Sequence, residues 1–345
     1  MAFLFGDSFD HYLFADIGKK WTPSGGQDRT DLLPAYACPG QGHVVGLAFG
    51  GSSTGYLRRT IAATETFVAG VWYCSPTGTA VPVMVFLDGA TEHVSVRIDA
   101  TYHLTFTRNG TVLATSSNVL SSGAWAFIEV KVTIGDAGDS PSGRYEVRVN
   151  GSATGWIPDS GVGQDTRNGG NKNITVVGLQ TGGSTTATTH RFQDFYVLNT
   201  SGAVANDFLG PCRFAVLRPV GVGSSAQWTG NWAENLANVN EQFADGDTTF
   251  NQDATAGHID YFTMTDIPAG TVHALQHVLM GRDSGATRTI RPKTLISATP
   301  YSGTSFALGA AYTFHCDPVT VSPATTAQWD DAEVNAAEFG YEMVS

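Results

Sequence analysis

Period-two alternation, broken at short intervals by turn residues, constrains this chain more than anything else in it. In Val130-Lys-Val-Thr-Ile134, and again in Tyr145-Glu-Val-Arg-Val149, apolar side chains occupy every second position. An extended backbone places such residues on one face, whereas a helix would scatter them around its axis. Turn chemistry closes the runs at Asn109-Gly110, Gly138-Asp139 and Asn150-Gly151, and Gly50-Gly51 and Gly182-Gly183 mark further turns. Strand-like runs fall at residues 43–49, 56–61, 66–73, 81–87, 93–98, 102–107, 111–114, 124–134, 145–150, 174–179 and 190–198. Strands this short and this closely spaced predict a two-sheet sandwich. The 40 scattered glycines and the 42% of hydrophobic residues agree with an all-β chain that fills a core.

A second segment begins near residue 205. Its strand-like pieces are residues 213–218, 261–265, 272–280, 287–296 and 312–314, with a final strand at 341–344. A polar stretch, 231–253, reads as one helical turn and a long loop. Residues 327–340 read as a short acidic helix with Val334 and Ala337 on one face and a stop at Gly340. The stretch from Gln193 to Pro219 then reads as the last strand of one sandwich, a connector and the first strand of another. The expected division is a jelly-roll domain over 1–203 and a smaller β-rich domain over 204–345, with no internal repeat relating them.

Charge narrows the partners. A formal net charge of -12, with lysine and arginine unclustered, disfavours nucleic acid, whose phosphates call for a basic face. No window reaches the length and apolarity of a membrane span, so membrane insertion is not expected. The start, Met1-Ala-Phe-Leu-Phe5, runs into Gly6-Asp-Ser-Phe-Asp10 without a basic stretch or a long apolar core. The expectation is a chain folded in a cytoplasm that reaches the exterior by assembly and lysis. Cys38, Cys74, Cys212 and Cys316 are too dispersed for a disulfide scaffold or a zinc site. They read as buried thiols, with bridges formed after release as the alternative.

Each candidate for chemistry has a plainer reading. Gly51-Ser-Ser-Thr-Gly55 fits a nucleophile elbow formally, but strand-like residues follow where that motif needs a helix, so it reads as a hairpin turn. His273 and His277 have zincin spacing but lack the glutamate base and a third ligand; they read as ordinary histidines in or beside a sheet. Glu129, Glu146 and Asp194 fall on separate strands, each expected on a solvent face, and do not form the alternating acid pair of a glycosidase. Calcium (Ca2+) is the one cofactor for which loops offer donors: Asp7 with Asp10, Asp136 with Asp139, and Asp245, Asp247 and Asp253. Without a six- to eight-oxygen register, solvated turn aspartates are the better reading. Trp228 and Trp232 suit either a sugar platform or a core, and core packing is favoured. No catalytic, cofactor-binding or metal-binding residue is assigned, and no enzyme activity is expected.

Trp125-Ala-Phe-Ile-Glu-Val-Lys-Val-Thr-Ile134 and Gly143-Arg-Tyr-Glu-Val-Arg-Val-Asn-Gly151 make a long hairpin opened by an aromatic. With Phe9-Asp-His-Tyr12, Phe195-Tyr-Val, Asn206-Asp-Phe-Leu-Gly210, Leu217-Arg-Pro219, Asp247-Thr-Thr249, and Asp317-Pro through Trp329 to Val334-Asn-Ala-Ala-Glu-Phe-Gly340, this hairpin resembles a group of bacteriophage and prophage virion proteins. These are tail or minor structural proteins with a laminin-G/concanavalin A-like jelly roll. The resemblance implies that Trp125 packs between the sheets and that the N-terminal strand pairs near residues 190–198. It also implies a non-enzymatic virion component, tail-associated or fibre-like, whose partners are other virion proteins, further copies of itself and a host surface glycan. A capsid or neck decoration protein and a lectin-like carbohydrate-binding module are the alternatives. The motifs are structural, so no site residue passes with them.

Overall fold

Alternation of the kind in residues 130–134 buries one face of a strand only when a second sheet covers it, and the structure supplies that sheet. The computed structural model describes residues 2–24, 27–31, 45–49, 55–75, 78, 80–181, 190–232, 234–285 and 287–345. The chain forms two compact units, one of Met1–Asp10 with Trp21–Phe214 and one of His11–Lys20 with Ala215–Ser345.

Among the described residues the first unit has fifteen strands: β1 (Phe3–Asp7), β2 (Thr22–Ser24), β3 (Gln27–Asp31), β4 (Val45–Phe49), β5 (Gly55–Thr64), β6 (Thr66–Cys74), β7 (Val81–Asp88), β8 (Thr91–Ile98), β9 (His103–Arg108), β10 (Thr111–Val119), β11 (Trp125–Thr133), β12 (Arg144–Val149), β13 (Ser152–Ile157), β14 (Ile174–Thr181) and β15 (Arg191–Asn199). One sheet has the order β1-β15-β6-β11-β12-β13 and the other β10-β9-β8-β7-β14-β5-β2; β3 and β4 form a separate hairpin. The sheets pack through Phe67 against Phe86, ring centroids 4.5 Å apart, and Phe106 stacked on Tyr145 at 4.3 Å. All four rings are buried, and each such burial stabilises by about 1.5–3 kcal/mol. The fold class is the expected one: all-β, a two-sheet antiparallel sandwich followed by a smaller β-unit.

Register accounts for the details. The N-terminal strand pairs with the last strand of the sandwich, Phe5 opposite Val197 and Asp7 opposite Phe195. The long hairpin is present, with Asn150 and Gly151 both at positive φ, 51° and 81°, as a type I′ turn requires. Trp125, expected between the sheets, is not there. It pairs with Cys74, and Phe67, Ala69, Val71 and Tyr73 are the inward members of β6, so Trp125 shares the outer face with Phe127 and Glu129. β2, β3 and β13 had no strand signal; β13 rises directly out of the Asn150-Gly151 turn.

The second unit has ten strands among the described residues: β16 (Pro219–Ala226), β17 (Thr229–Gly230), β18 (Asn251–Gln252), β19 (Ile259–Met264), β20 (Leu275–Gly281), β21 (Thr289–Ile296), β22 (Thr299–Ser302), β23 (Phe306–Ala307), β24 (Thr313–Val319) and β25 (Glu338–Met343). The main sheet runs β16-β19-β25-β21-β22 with β23 also on β21, and β17-β18 and β20-β24 are separate pairs. A one-and-a-half-turn helix, α1 (Asp331–Ala336), is capped by Asp330 and buries Val334 with Trp329, Ile296 and Phe339. His11–Lys20 belongs here because Tyr12 lies 5.5 Å from the Phe314 ring and the Lys20 ammonium 3.1 Å from His11 Nε2.

Three expectations change. The compact units are not drawn at 1–203 and 204–345: residues 204–214 belong to the first, where Leu209 and Phe214 donate to Glu129 and Asp194, and His11–Lys20 joins the second. Residues 213–218 do not form a strand, and β16 begins at Pro219. Gly340 is not a helix stop. The helix ends at Ala336, and Gly340 sits inside β25 where a Cβ would run into the main chain of Asp260.

Candidate functional site

The outer face of the six-stranded sheet concentrates the buried polar chemistry of the first unit. Between Gln193 and Tyr196 the pairing of β15 with β6 slips by a residue, and Asp194 takes φ +51°. This β-bulge turns Asp194 to the outer face beside Gln193. There Asp194 Oδ1 accepts the Phe214 N–H at 3.1 Å, and Arg213 places a guanidinium nitrogen 3.5 Å from Oδ2. Glu129, on β11, accepts from the Tyr196 hydroxyl at 2.6 Å and from the Leu209 and Gly210 N–H groups, each at 3.0 Å. The Trp72 indole donates to the Cys212 carbonyl at 2.9 Å, the Arg213 guanidinium stacks over the Trp72 ring, and Lys131 pairs with Asp207. Residues 207–214 thus form a strap across the sheet.

Glu129 and Asp194 are therefore fully buried, not on solvent faces as expected; Glu146 is part-buried and pairs with Arg148. Burial pushes Asp194 up to about 7 against the Phe214 N–H and Arg213, and raises Glu129 against the Tyr196 hydroxyl and the strap N–H groups. The Gln193 amide is wholly buried with neither end hydrogen-bonded. Glu129 and Asp194 hold main chain of the strap, which covers them.

The other sequence candidates do not converge. Residues 51–54 lie outside the described residues, so only Gly55 of the elbow-like motif is placed, at the start of β5. His277 lies in β20, 3.1 Å from Thr294 Oγ1, and burial lowers it to about 4; His273 precedes the strand and is also lowered by burial. Most of the aspartates that could offer oxygens to calcium place them on donors of the chain itself. Asp7 accepts from the Trp21 indole and the Phe9 N–H. Asp136 holds Arg167, and Asp139 accepts the Asp136 N–H beside Lys172. Asp245 binds Thr249, Asp247 binds Arg282 and Tyr312, and Asp253 binds His258 and the Thr255 N–H. Asp10 lies beside Ser8, whose hydroxyl accepts the Asp10 N–H. No group of three or more histidine, cysteine or acidic side chains among the described residues is placed to hold a metal. Cys74 is buried, Cys212 and Cys316 are half-buried, Cys74 and Cys212 are free thiols, and Cys38 lies outside the described residues.

The tryptophan pair separates. Trp228 is half-buried, packs edge-on to Tyr341 at 4.7 Å and donates its indole N–H to the His258 carbonyl. Trp232, expected in the core, is 76% exposed. The loop presenting it is held at both ends by amides. Asn231 accepts the Phe250 N–H at 2.8 Å and donates to the Thr248 carbonyl at 3.0 Å. Asn235 donates to the Trp228 carbonyl and to Asp260, and Asn251 donates to the Asn235 carbonyl and the Tyr341 hydroxyl. Asp260, raised by burial, also accepts the Trp228 and Gln227 N–H groups. Sequence pattern could not separate the two tryptophans, since both sit among Thr, Gly and Asn.

No family model matches the chain, and no curated protein matches it. Solved structures similar to it include a sialidase, with 11% identity and a TM-score of 0.41, over 56% of this chain and 18% of that one. The PL-14 alginate lyase from Aplysia kurodai matches with 11% identity and a TM-score of 0.41, over 57% of this chain and 99% of that one. Lectin II from Ulex europaeus matches with 11% identity and a TM-score of 0.38, over 56% of this chain and 97% of that one. The chain spans under a fifth of the length of that sialidase. No residue role passes from these proteins to this chain.

Proposed function

We propose that the protein is a non-enzymatic structural component of a bacteriophage virion, tail-associated or fibre-like, that also contacts host-cell glycans. The observation that carries the non-enzymatic part is the placement of Glu129 and Asp194, which face a strap of main chain and hold it by its N–H groups. A hydrolase needs such carboxyls open to substrate. The virion part is supported by the resemblance of the hairpin, junction and C-terminal motifs to phage proteins, and multiple copies would bury further surface by symmetry. Antibody labelling of purified particles, followed by placement of the chain in a cryo-EM map, tests this part. Density on the tail is the expected result, and absence of the chain from purified particles overturns it.

A lectin-like module acting apart from any particle is the second reading, favoured by the exposed Trp232. Retention on host cells by a chain absent from particles distinguishes it.

A further inference from the structure

We infer that the glycan contact lies on the second unit and is made by Trp232, whose indole serves as a stacking platform for a neutral pyranose ring. The inference rests on the glycan-contact part of the proposed function and adds its location and ligand class. Burying an indole is among the largest single gains open to a folding chain, and a tryptophan left 76% exposed forgoes it. Trp228, four residues away, is half-buried against Tyr341 instead.

The exposure comes from a held loop. Asn231, the residue before Trp232, is tied to residues 248–250 by three hydrogen bonds: its own N–H to the Phe250 carbonyl at 3.1 Å, its amide to the Thr248 carbonyl, and its carbonyl oxygen to the Phe250 N–H. Three residues past Trp232, Asn235 is tied to Trp228 and Asp260. A ring displayed on a backbone fixed on both sides loses little entropy when a ligand lands on it.

The surroundings select the ligand. A protein partner would call for a contiguous apolar patch. Within residues 227–253 Trp232 is the one large hydrophobic side chain standing exposed among the described residues, and Gln227, Thr229, Asn231 and Glu234 are the polar residues exposed nearest it in sequence. A sugar ring matches a single aromatic among amides and hydroxyls, because it has one apolar C–H face and a polar rim. Charge excludes the acidic sugars. Residues 227–253 contain Glu234, Glu241, Asp245, Asp247 and Asp253 and no lysine or arginine. The cation that reaches this segment, Arg282, is engaged by Asp247 and lies over the Tyr312 ring. A carboxylated or sulfated glycan would meet like charge here.

The test uses the full chain, wild type, W232A and W232F, on an array of immobilised neutral hexose and N-acetylhexosamine oligosaccharides beside sialylated and uronate-containing ones. Wild type is expected to be retained by neutral glycans. W232A should lose about tenfold or more in affinity, the equivalent of about 1.4 kcal/mol, and W232F should keep part of it. Melting temperatures should agree across the three, because the side chain is exposed. Equal retention of wild type and W232A overturns the inference and leaves the glycan-contact reading standing. Retention by acidic glycans alone overturns it as well. Retention of wild type by no glycan removes both, and a change in sedimentation of W232A in that case reassigns Trp232 to a contact between copies.

Discussion

Asp194 accepts the main-chain N–H of Phe214 at 3.1 Å from a strand position where its own φ is +51°. The bulge that permits this places two consecutive polar residues, Gln193 and Asp194, on the outer face of one sheet. Without it Asp194 would point into the apolar space between the sheets, where a carboxylate has no partner. The bulge converts a core position into an anchor for residues 207–214 and makes the connector part of the sandwich.

Stability should therefore fall as the pH rises. Burial lifts Asp194 from an ordinary 3.8 to about 7, so the folded state holds a proton that the unfolded chain releases earlier. This contribution is fully present below the unfolded value and is lost as the pH climbs through about 7. Each unit between costs up to about 1.4 kcal/mol. Glu129, raised in the same direction, adds to the slope. Urea midpoints between pH 5 and 8 should decline for wild type and decline less for Asp194→Asn, which keeps the acceptor for Phe214 but carries no charge. Parallel slopes for the two proteins would count against this origin.

Removing the Glu129 side chain should loosen the strap. Glu129→Ala leaves the Tyr196 hydroxyl and the Leu209 and Gly210 N–H groups without their acceptor, a loss of about 3 kcal/mol or more. Hydrogen exchange at Leu209 and Gly210 should accelerate, and Glu129→Gln, which preserves the accepting oxygen, should recover much of the protection.

Gln193 makes the opposite case. Both ends of its buried amide are without partners, so the side chain carries a desolvation cost and no compensating bond. Gln193→Met, close in shape, is expected to leave stability unchanged or raise it by about 1 kcal/mol in urea denaturation. A marked loss would reveal a partner for the amide.

A methyl group at Gly70 should not be tolerated. The Tyr196 ring lies directly over this residue, within overlap of the Cβ an alanine would bring, and the Phe127 ring is 3.1 Å from the same point. Gly70→Ala must displace the ring that hydrogen-bonds Glu129, and a loss of about 1–3 kcal/mol in urea denaturation is expected.

Much of the sandwich could be read from residues alone, because period two and Asn-Gly turns are local properties of an extended chain. The pairing of residues 125–133 with 144–149 follows from alternation that one face must bury. The strap could not be read this way. Phe208, Leu209 and Phe214 look like the apolar residues of a strand, and only the carboxylates waiting on a sheet formed by residues far earlier in the chain fix them otherwise. Gly340 misled for the same reason. After a helical pattern it resembles a stop, but its role is set by the main chain of Asp260, eighty residues away.

The sequence by itself determined the class of structure and the approximate strands, since each depends on neighbours within a few residues. Tertiary structure decided which carboxylates are buried, where the first unit ends and which tryptophan is displayed. Those depend on which distant segment covers a face, and period-two alternation distinguishes the two faces of a strand without saying what will lie over either of them.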